Sequence, residues 1–249
     1  MNLPQKYWDE LAEKYPRFDD ASIQKDAQFI FENSREFGIN FEAKNIIDIG
    51  CGTGTLALNI TEDYHKIEAI DTSSLMLERF ANDIENLRKK DKIDLFCSSW
   101  DDFEITKRYD IAIASMTPAV SSVAQKMKFI NCADFGIFVG WGEYKRNDIL
   151  EILFAQIGIN SSDAFGQAKR FASLLESKKI DFEFKYFESS WSDFHTLNDA
   201  IKYCRNHLHR FDKTASDEFL GQFLGQFEED GKIKMTTNAQ KGLVVFASK

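Results

Sequence analysis

The sequence predicts an α/β fold: a doubly wound, mostly parallel sheet of seven strands with a small helical cap. The first observation is the run 45–49, whose nearly continuous isoleucines are typical of a strand buried on both faces of a parallel sheet. The second is the alternation of such runs with segments of helical periodicity along the chain. The third is size, because 249 residues with 43% hydrophobic content can bury one sizeable core. We therefore expect a single domain over 1–249.

The N-terminal segment 1–40 is predicted to be helical. Aromatic and apolar residues recur at helical spacing from Trp8 to Tyr15, and a second such pattern runs from Ala21 to Gly38. The first helix has two interpretations. It folds over a ligand, or it is an amphipathic helix that covers an edge of the sheet.

A glycine turn follows the first strand and is the strongest signal in the chain. Asp48 ends the strand, glycines follow at 50, 52 and 54, and an apolar helix is expected from Thr55. A dinucleotide fold needs its third glycine at the position of Thr55. The Asp48 carboxylate, which we expect to point into the site, would repel a pyrophosphate but suits a ligand with an ammonium group. The turn therefore predicts a site for a cationic ligand, with a tight strand-to-helix turn without a ligand as the alternative.

The stretch from Asp48 to Gly54 resembles motif I of the class I S-adenosylmethionine-dependent methyltransferases, acid-x-Gly-x-Gly-x-Gly, at every position. The resemblance implies S-adenosylmethionine as cofactor and places Asp48 near its amino group. It also implies that the turn accommodates the methionine part of the cofactor, through Gly50, Cys51, Gly52 and Gly54. The segment from Tyr7 resembles the aromatic-Asp-x-x-Ala-x-x-Tyr pattern of small-molecule methyltransferases, which implies that Tyr15 reaches the methionine carboxylate.

A second carboxylate, Asp71, ends the next predicted strand, roughly 20 positions after the first glycine. A carboxylate at this place can accept hydrogen bonds from both hydroxyls of a ribose. Asp71-Thr72-Ser73 resembles the family's Asp-x-Ser form, which implies that Asp71 binds the ribose of the cofactor. The alternative is that Asp71 caps the helix predicted from Ser73 or Ser74 through Leu87.

The loops after the third and fourth predicted strands complete the expected site. By register the third loop meets the adenine, where the resemblance places Ser99, Trp100 and Asp101 in a departure from the family's usual acid. The fourth loop, Ser115-Met-Thr-Pro, differs from the Asn/Asp-Pro-Pro-aromatic form of enzymes that methylate amides or exocyclic base nitrogens. Ser115 is a candidate for contact with the cofactor or the substrate, although a simple strand-to-helix connection explains it almost as well.

The second half of the chain is predicted to complete the sheet and to add a helical cap insertion at about 189–230. The remaining predicted strands are 135–141, 182–187 and 242–246, with a hairpin partner at 232–237, and the remaining helices are 147–157, 162–177, 197–209 and 216–229. Within these segments Tyr144 and His195 are weak candidates for a catalytic role. Packing in the core or on a solvated face explains them at least as well.

Composition limits the partners and the site chemistry. A net charge of -9 makes nucleic acid an unlikely partner. No apolar run of eighteen residues and no N-terminal signal pattern occurs, so we expect a cytoplasmic protein without membrane contact. The cysteines lack the spacing of a zinc site or a disulfide framework, and we predict no metal. The sequence predicts no oligomeric state.

These observations predict direct in-line transfer of the methyl group of S-adenosylmethionine to a small-molecule acceptor, without a metal. Three alternatives remain open: a methyltransferase that acts on protein or RNA, a non-catalytic S-adenosylmethionine-binding protein and, more remotely, an NAD-dependent oxidoreductase.

Overall fold

The computed structural model describes residues 5–159 and 166–248, in which helices and strands alternate. The helices are α1 Gln5–Ala12, α2 Ala21–Glu36, α3 Ser74–Asn86, α4 Val123–Asn131, α5 Asp148–Ile157, α6 Gln167–Ser177, α7 Leu197–His209 and α8 Asp217–Gly225. The strands are β1 Asn45–Ile49, β2 Lys66–Asp71, β3 Ile93–Cys97, β4 Tyr109–Ser115, β5 Ala133–Asn147, β6 Asp181–His195, β7 Glu228–Glu229 and β8 Lys232–Ala247.

The strands form one sheet in the order β3-β2-β1-β4-β5-β8-β6, and β7 pairs with β8. The pairs β1–β2, β2–β3, β1–β4 and β4–β5 are parallel. The order reverses at β1, because β2 lies on one side of it and β4 on the other. The carboxyl ends of β1 and β4 therefore meet where doubly wound folds bind their ligands. This is the predicted α/β architecture.

Alternate residues of the central strands pack on opposite faces of the sheet, as the pleat requires. On β1, Ile46 joins a core that includes Phe31 of α2 and Phe80 of α3, whereas Ile47 joins a second core with Phe129 of α4. All five of these side chains are buried. The near-continuous apolar pattern of the strands thus arises because helices cover both faces.

The described residues divide into two compact units. The first comprises 5–142, 166–187 and 241–248, and the second comprises 143–159 and 188–240. The second unit has its own apolar core, in which α5, α7 and α8 contribute Leu153, Cys204 and Leu220. The predicted cap, 189–230, lies within this unit. Its boundaries, and the single-domain organisation over 1–249, stay predictions.

Several helix bounds agree closely with the sequence pattern, whereas three strand bounds were predicted wrongly. The structure continues β5 to Asn147 instead of ending it at Trp141, and β6 reaches His195. It also makes 232–247 one strand, so 232–237 is not a hairpin partner of the last strand. Glu228–Glu229 takes that place. The start of the helix predicted at 162–177 lies outside the described residues.

The apolar helix expected from Thr55 is absent, which corrects the prediction. A short 3-10 turn, Ala57–Asn59, is the only helical element described between β1 and β2. The Asn59 side-chain amide donates hydrogen bonds to the carbonyl oxygens of Thr55 and Phe18, both at 2.8 Å. Thr, Asn and Ile are weaker helix formers than the leucines and alanines between them, and these side-chain bonds compete with helix continuation.

No helix in the described ranges is long and apolar enough to cross a membrane.

Candidate functional site

A cavity opens at the carboxyl ends of β1, β2, β3 and β4. Eight of the residues predicted to bind a cofactor line it: Tyr15, Gly50, Gly52, Asp71, Thr72, Ser99, Trp100 and Asp101. Trp8, Met76, Met116, Thr117, Pro118, Ala119 and Gln125 are among the other lining residues. The topology therefore brings together side chains that are far apart in the sequence.

The three glycines of the turn differ in what surrounds them. A side chain on Gly50 would collide with Thr117, whose Cβ would lie 2.7 Å from the added carbon, and one on Gly54 would overlap the ring of Phe80. A side chain on Gly52 would meet only Tyr15 Cε1, at 3.6 Å. Gly50 and Gly54 therefore allow close packing of the protein on itself, while Gly52 faces the cavity with a φ of +55°.

Asp71 links the glycine turn to the start of α3. The backbone N–H of Gly52 donates to Asp71 Oδ2 and that of Ser73 donates to Oδ1, both at 2.9 Å. Ser73, not Asp71, is the N-cap of α3, because its Oγ accepts from the N–H of Met76. Burial raises the pKa of Asp71, and the backbone hydrogen bonds oppose this shift. The carboxylate is thus held at the cavity wall, and its oxygens can accept further hydrogen bonds.

Asp48 and Cys51 are buried and are not among the residues that line the cavity. Asp48 is only 3% exposed, and the expectation that it points into the site stays a prediction. Burial, and then the nearby charge of Asp71, raises the pKa of Asp48 to about 7. Burial likewise raises the pKa of the Cys51 thiol. A cation in the cavity would stabilise the ionised form of Asp48.

The N-terminal segment lies along the cavity, which favours the first of its two interpretations. Trp8 and Tyr15 line the cavity, and burial raises the pKa of Tyr15 to about 12. Arg79 of α3 donates hydrogen bonds to the carbonyl oxygens of Ala12 and Tyr15. The Ser73 hydroxyl donates to Asp9 of α1 at 2.6 Å. These bonds anchor the segment to α3.

The loop after β3 is held by hydrogen bonds to α4. Trp100 is 3% exposed, and its indole N–H donates to the carbonyl oxygen of Gln125 at 3.2 Å. Asp101 Oδ2 accepts a hydrogen bond from Gln125 Nε2 at 2.7 Å. Sequence reasoning missed Gln125 and Lys128, which also contacts this loop, because no sequence spacing links α4 to it. The one sequence signal for Gln125 was the pattern of a helix N-terminus, in which Ser122 is followed three positions later by Gln125.

The loop after β4 contributes residues other than the predicted one. Ser115 ends β4 and is not among the lining residues, whereas Met116, Thr117, Pro118 and Ala119 are. The Thr117 hydroxyl caps the short turn that follows by accepting from the N–H of Ala119 at 3.1 Å.

A family model described as "Methyltransferase domain" matches residues 46–133. This range holds the glycine turn, Asp71 and the loops after β3 and β4, all at the cavity. Residues 46–133 of the chain are therefore similar to a methyltransferase domain. A search of curated protein sequences finds no match to this chain.

Solved methyltransferase structures share the fold at low sequence identity. An S-adenosylmethionine-dependent methyltransferase from Thiobacillus denitrificans, in complex with S-adenosyl-L-homocysteine, has 12% identity and a TM-score of 0.52, over 99% of this chain and all of the other. Magnesium protoporphyrin IX methyltransferase from Synechocystis, with bound S-adenosylhomocysteine, has 12% identity and a TM-score of 0.53, over 91% and 83% of the chains. At these identities the likeness shows the fold.

Two of the candidate catalytic residues, Tyr144 and His195, are in the second unit. The Tyr144 hydroxyl donates to a carboxylate oxygen of Glu188, and the His195 ring lies 5.2 Å from that of Tyr203. Neither is among the residues that line the cavity, and their catalytic role stays a prediction. Across residues 5–159 and 166–248, no cluster of His, Cys, Asp or Glu side chains could hold a metal ion.

Proposed function

We propose that this methyltransferase transfers the methyl group of S-adenosylmethionine to a small-molecule acceptor by direct in-line displacement, without a metal. The observation that carries the proposal is the hydrogen bond from the Gly52 N–H to Asp71, which holds a carboxylate and a side-chain-free turn at one cavity. Such a cradle suits a ligand that presents a ribose diol beside a compact, charged group.

The residues along the cavity would meet the parts of the cofactor in order. Asp71 would accept hydrogen bonds from the ribose hydroxyls, since each of its oxygens already accepts one backbone N–H and has a further lone pair. The turn at Gly50 and Gly52, with Tyr15 beside it, would receive the methionine part. The loop with Ser99 and Asp101 would receive the adenine.

The charges of the site favour a cationic donor. Asp71 and Asp101 line the cavity and Asp48 is buried near Asp71, whereas the described lining residues include no Lys, Arg or His. S-adenosylmethionine carries a sulfonium and an ammonium group against one carboxylate. Carboxylates in a site of reduced dielectric attract such a ligand and repel the phosphates of a dinucleotide. This supports the methyl donor over NAD.

The chain itself would mainly align the reactants and exclude water. When bound, the sulfonium supplies an already activated methyl group, so the protein needs no electrophilic group of its own. Apolar side chains line part of the cavity wall, including Trp8, Met116 and Pro118. They would keep water from the reacting atoms and restrict the approach of the nucleophile.

A small acceptor fits the charge of the protein. The net charge of -9 disfavours a polyanionic acceptor such as RNA, because phosphate contacts rely on clustered Lys and Arg. We also propose that the predicted cap, 189–230, selects the acceptor. A screen of a metabolite library for release of S-adenosylhomocysteine identifies the acceptor, and NMR of the methylated product identifies the atom.

Calorimetry with S-adenosylhomocysteine tests the cofactor assignment. Loss of the charged hydrogen bonds in Asp71→Ala should weaken binding by about 1.5–3 kcal/mol, roughly 10- to 150-fold. Asp91→Ala, at an exposed carboxylate away from the cavity, is the matched control and should bind like the wild type. Equal affinities for Asp71→Ala and the wild type would contradict the ribose role, and absence of binding to the wild type would refute the proposal.

A further inference from the structure

Gln125 of α4 is a buried residue whose side chain makes two kinds of contact. It is 7% exposed and lies at the cavity. Its Oε1 accepts hydrogen bonds from the backbone N–H groups of Ser121 and Ser122, at 3.1 and 3.0 Å, in a capping box that begins α4. Its Nε2 donates to Asp101 Oδ2 at 2.7 Å. The Ser121 hydroxyl also donates to Oε1. Because three groups donate to this oxygen, it is Nε2 that faces Asp101.

Ser99, at the position where the family usually has an acid, is already engaged within its own loop. Its hydroxyl donates to Asp102 Oδ2 at 2.6 Å and accepts from the N–H of Asp102 at 3.1 Å. A hydroxyl oxygen has two lone pairs, so at most one remains for a ligand. A carboxylate is the stronger acceptor for an amine N–H, and Asp101 supplies one at the cavity two positions later.

The backbone that carries Asp101 is anchored to the same helix one turn further along. The Lys128 ammonium donates to the carbonyl oxygens of Trp100, Asp101 and Phe103, the last two at 3.2 and 2.7 Å. It also lies 4.4 Å from the centre of the Trp100 ring. With the loop backbone held by Lys128, the bond from Gln125 decides where the exposed carboxylate of Asp101 points. An exposed Asp without such a donor would sample several rotamers.

We propose that Gln125 is a positioning residue that holds the Asp101 carboxylate as the acceptor for the exocyclic amine of adenine. The pair would make the site selective for a 6-amino purine, because a 6-oxo purine presents an acceptor to the same carboxylate and the two would repel. The inference rests on the proposed function, since it takes the adenosyl group as the ligand of this cavity.

The test compares the affinities for S-adenosylhomocysteine and for its 6-oxo analogue, S-inosylhomocysteine, by calorimetry. The wild type should prefer S-adenosylhomocysteine at least tenfold. Gln125→Glu retains an acceptor oxygen for the capping box but replaces the amide donor with an anion, so the preference should fall below threefold. Asp101→Asn should also lose the preference. The double variant should lose no more than Asp101→Asn alone, because Gln125 acts through Asp101.

Ser122→Ala is the matched control, because it removes the reciprocal half of the capping box and leaves the bond from Gln125 to Asp101 in place. It should lower the thermal midpoint and keep the tenfold preference. A preference retained in Gln125→Glu, or lost equally in Ser122→Ala, would overturn the role of Gln125. Failure of the wild type to bind either compound would instead refute the proposed function.

Discussion

Removal of the Asp48 charge tests the electrostatics of the site in the absence of any ligand. The carboxylate is 3% exposed, and burial with the nearby charge of Asp71 raises its pKa from 3.8 to about 7. The folded protein therefore binds a proton at Asp48 more tightly than the unfolded chain does. As the pH rises from about 4 to about 7, the carboxylate must ionise in a poor environment, so the free energy of unfolding should fall.

The size of this effect follows from the shift. A rise of three pKa units corresponds to about 4 kcal/mol in the free energy of unfolding. About 2.5 kcal/mol of this should be lost from the wild type between pH 5 and pH 8. Asp48→Asn has nearly the same shape and carries no charge, so it should lack this part of the pH dependence. At pH 8 it should be more stable than the wild type by up to about 4 kcal/mol, and at pH 5 the difference should shrink.

Urea unfolding of both proteins at pH 5 and pH 8, without cofactor, measures this difference. Other groups titrate in both proteins, so the change in their stability difference between the two pH values isolates Asp48. The same pH dependence in wild type and Asp48→Asn would refute the presence of a buried, destabilising carboxylate at Asp48. A loss of stability in the variant at pH 8 would refute it as well.

Three further predictions concern the same site. Gly54→Ala should lower the free energy of unfolding by about 2–4 kcal/mol in urea titrations, because its new carbon overlaps Phe80 at a φ of +77°; an unchanged midpoint would contradict this. In Asp48→Asn at pH 8, calorimetry should show weaker binding of S-adenosylmethionine, since an attractive charge is gone; equal or tighter binding would be contrary to expectation. Arg79→Met should accelerate amide hydrogen exchange over residues 5–15 and weaken cofactor binding, whereas the control Arg88→Met should do neither. Equal exchange rates in both variants would argue that Arg79 does not anchor the N-terminal segment.

The parts of the fold that the sequence predicts are those with local causes. The isoleucines of β1, the glycines after it and the carboxylate at the end of β2 each carry their signal within a few residues. Parallel pairing then brings their carboxyl ends together, so the cavity could be inferred without coordinates. Asp71, which we propose as the acceptor for the ribose hydroxyls, is among the residues that line it.

The parts that the sequence does not predict depend on contacts between distant segments. Gln125 and Lys128 meet the loop after β3 only because β4 and α4 intervene and return the chain to it. Asn59 ends the expected helix partly by a bond to the carbonyl oxygen of Phe18, far earlier in the chain. Asp48 is 3% exposed, and the spacing of the glycines does not reveal this burial.

The central claim is that the glycine turn and Asp71 together bind S-adenosylmethionine. A crystal structure of the protein with S-adenosylhomocysteine tests it most directly. We predict that the ribose hydroxyls lie within hydrogen-bond distance of Asp71, with the adenine against the loop that carries Asp101 and the methionine part over Gly52. A ligand found in another cavity, or with its ribose away from Asp71, would contradict the account.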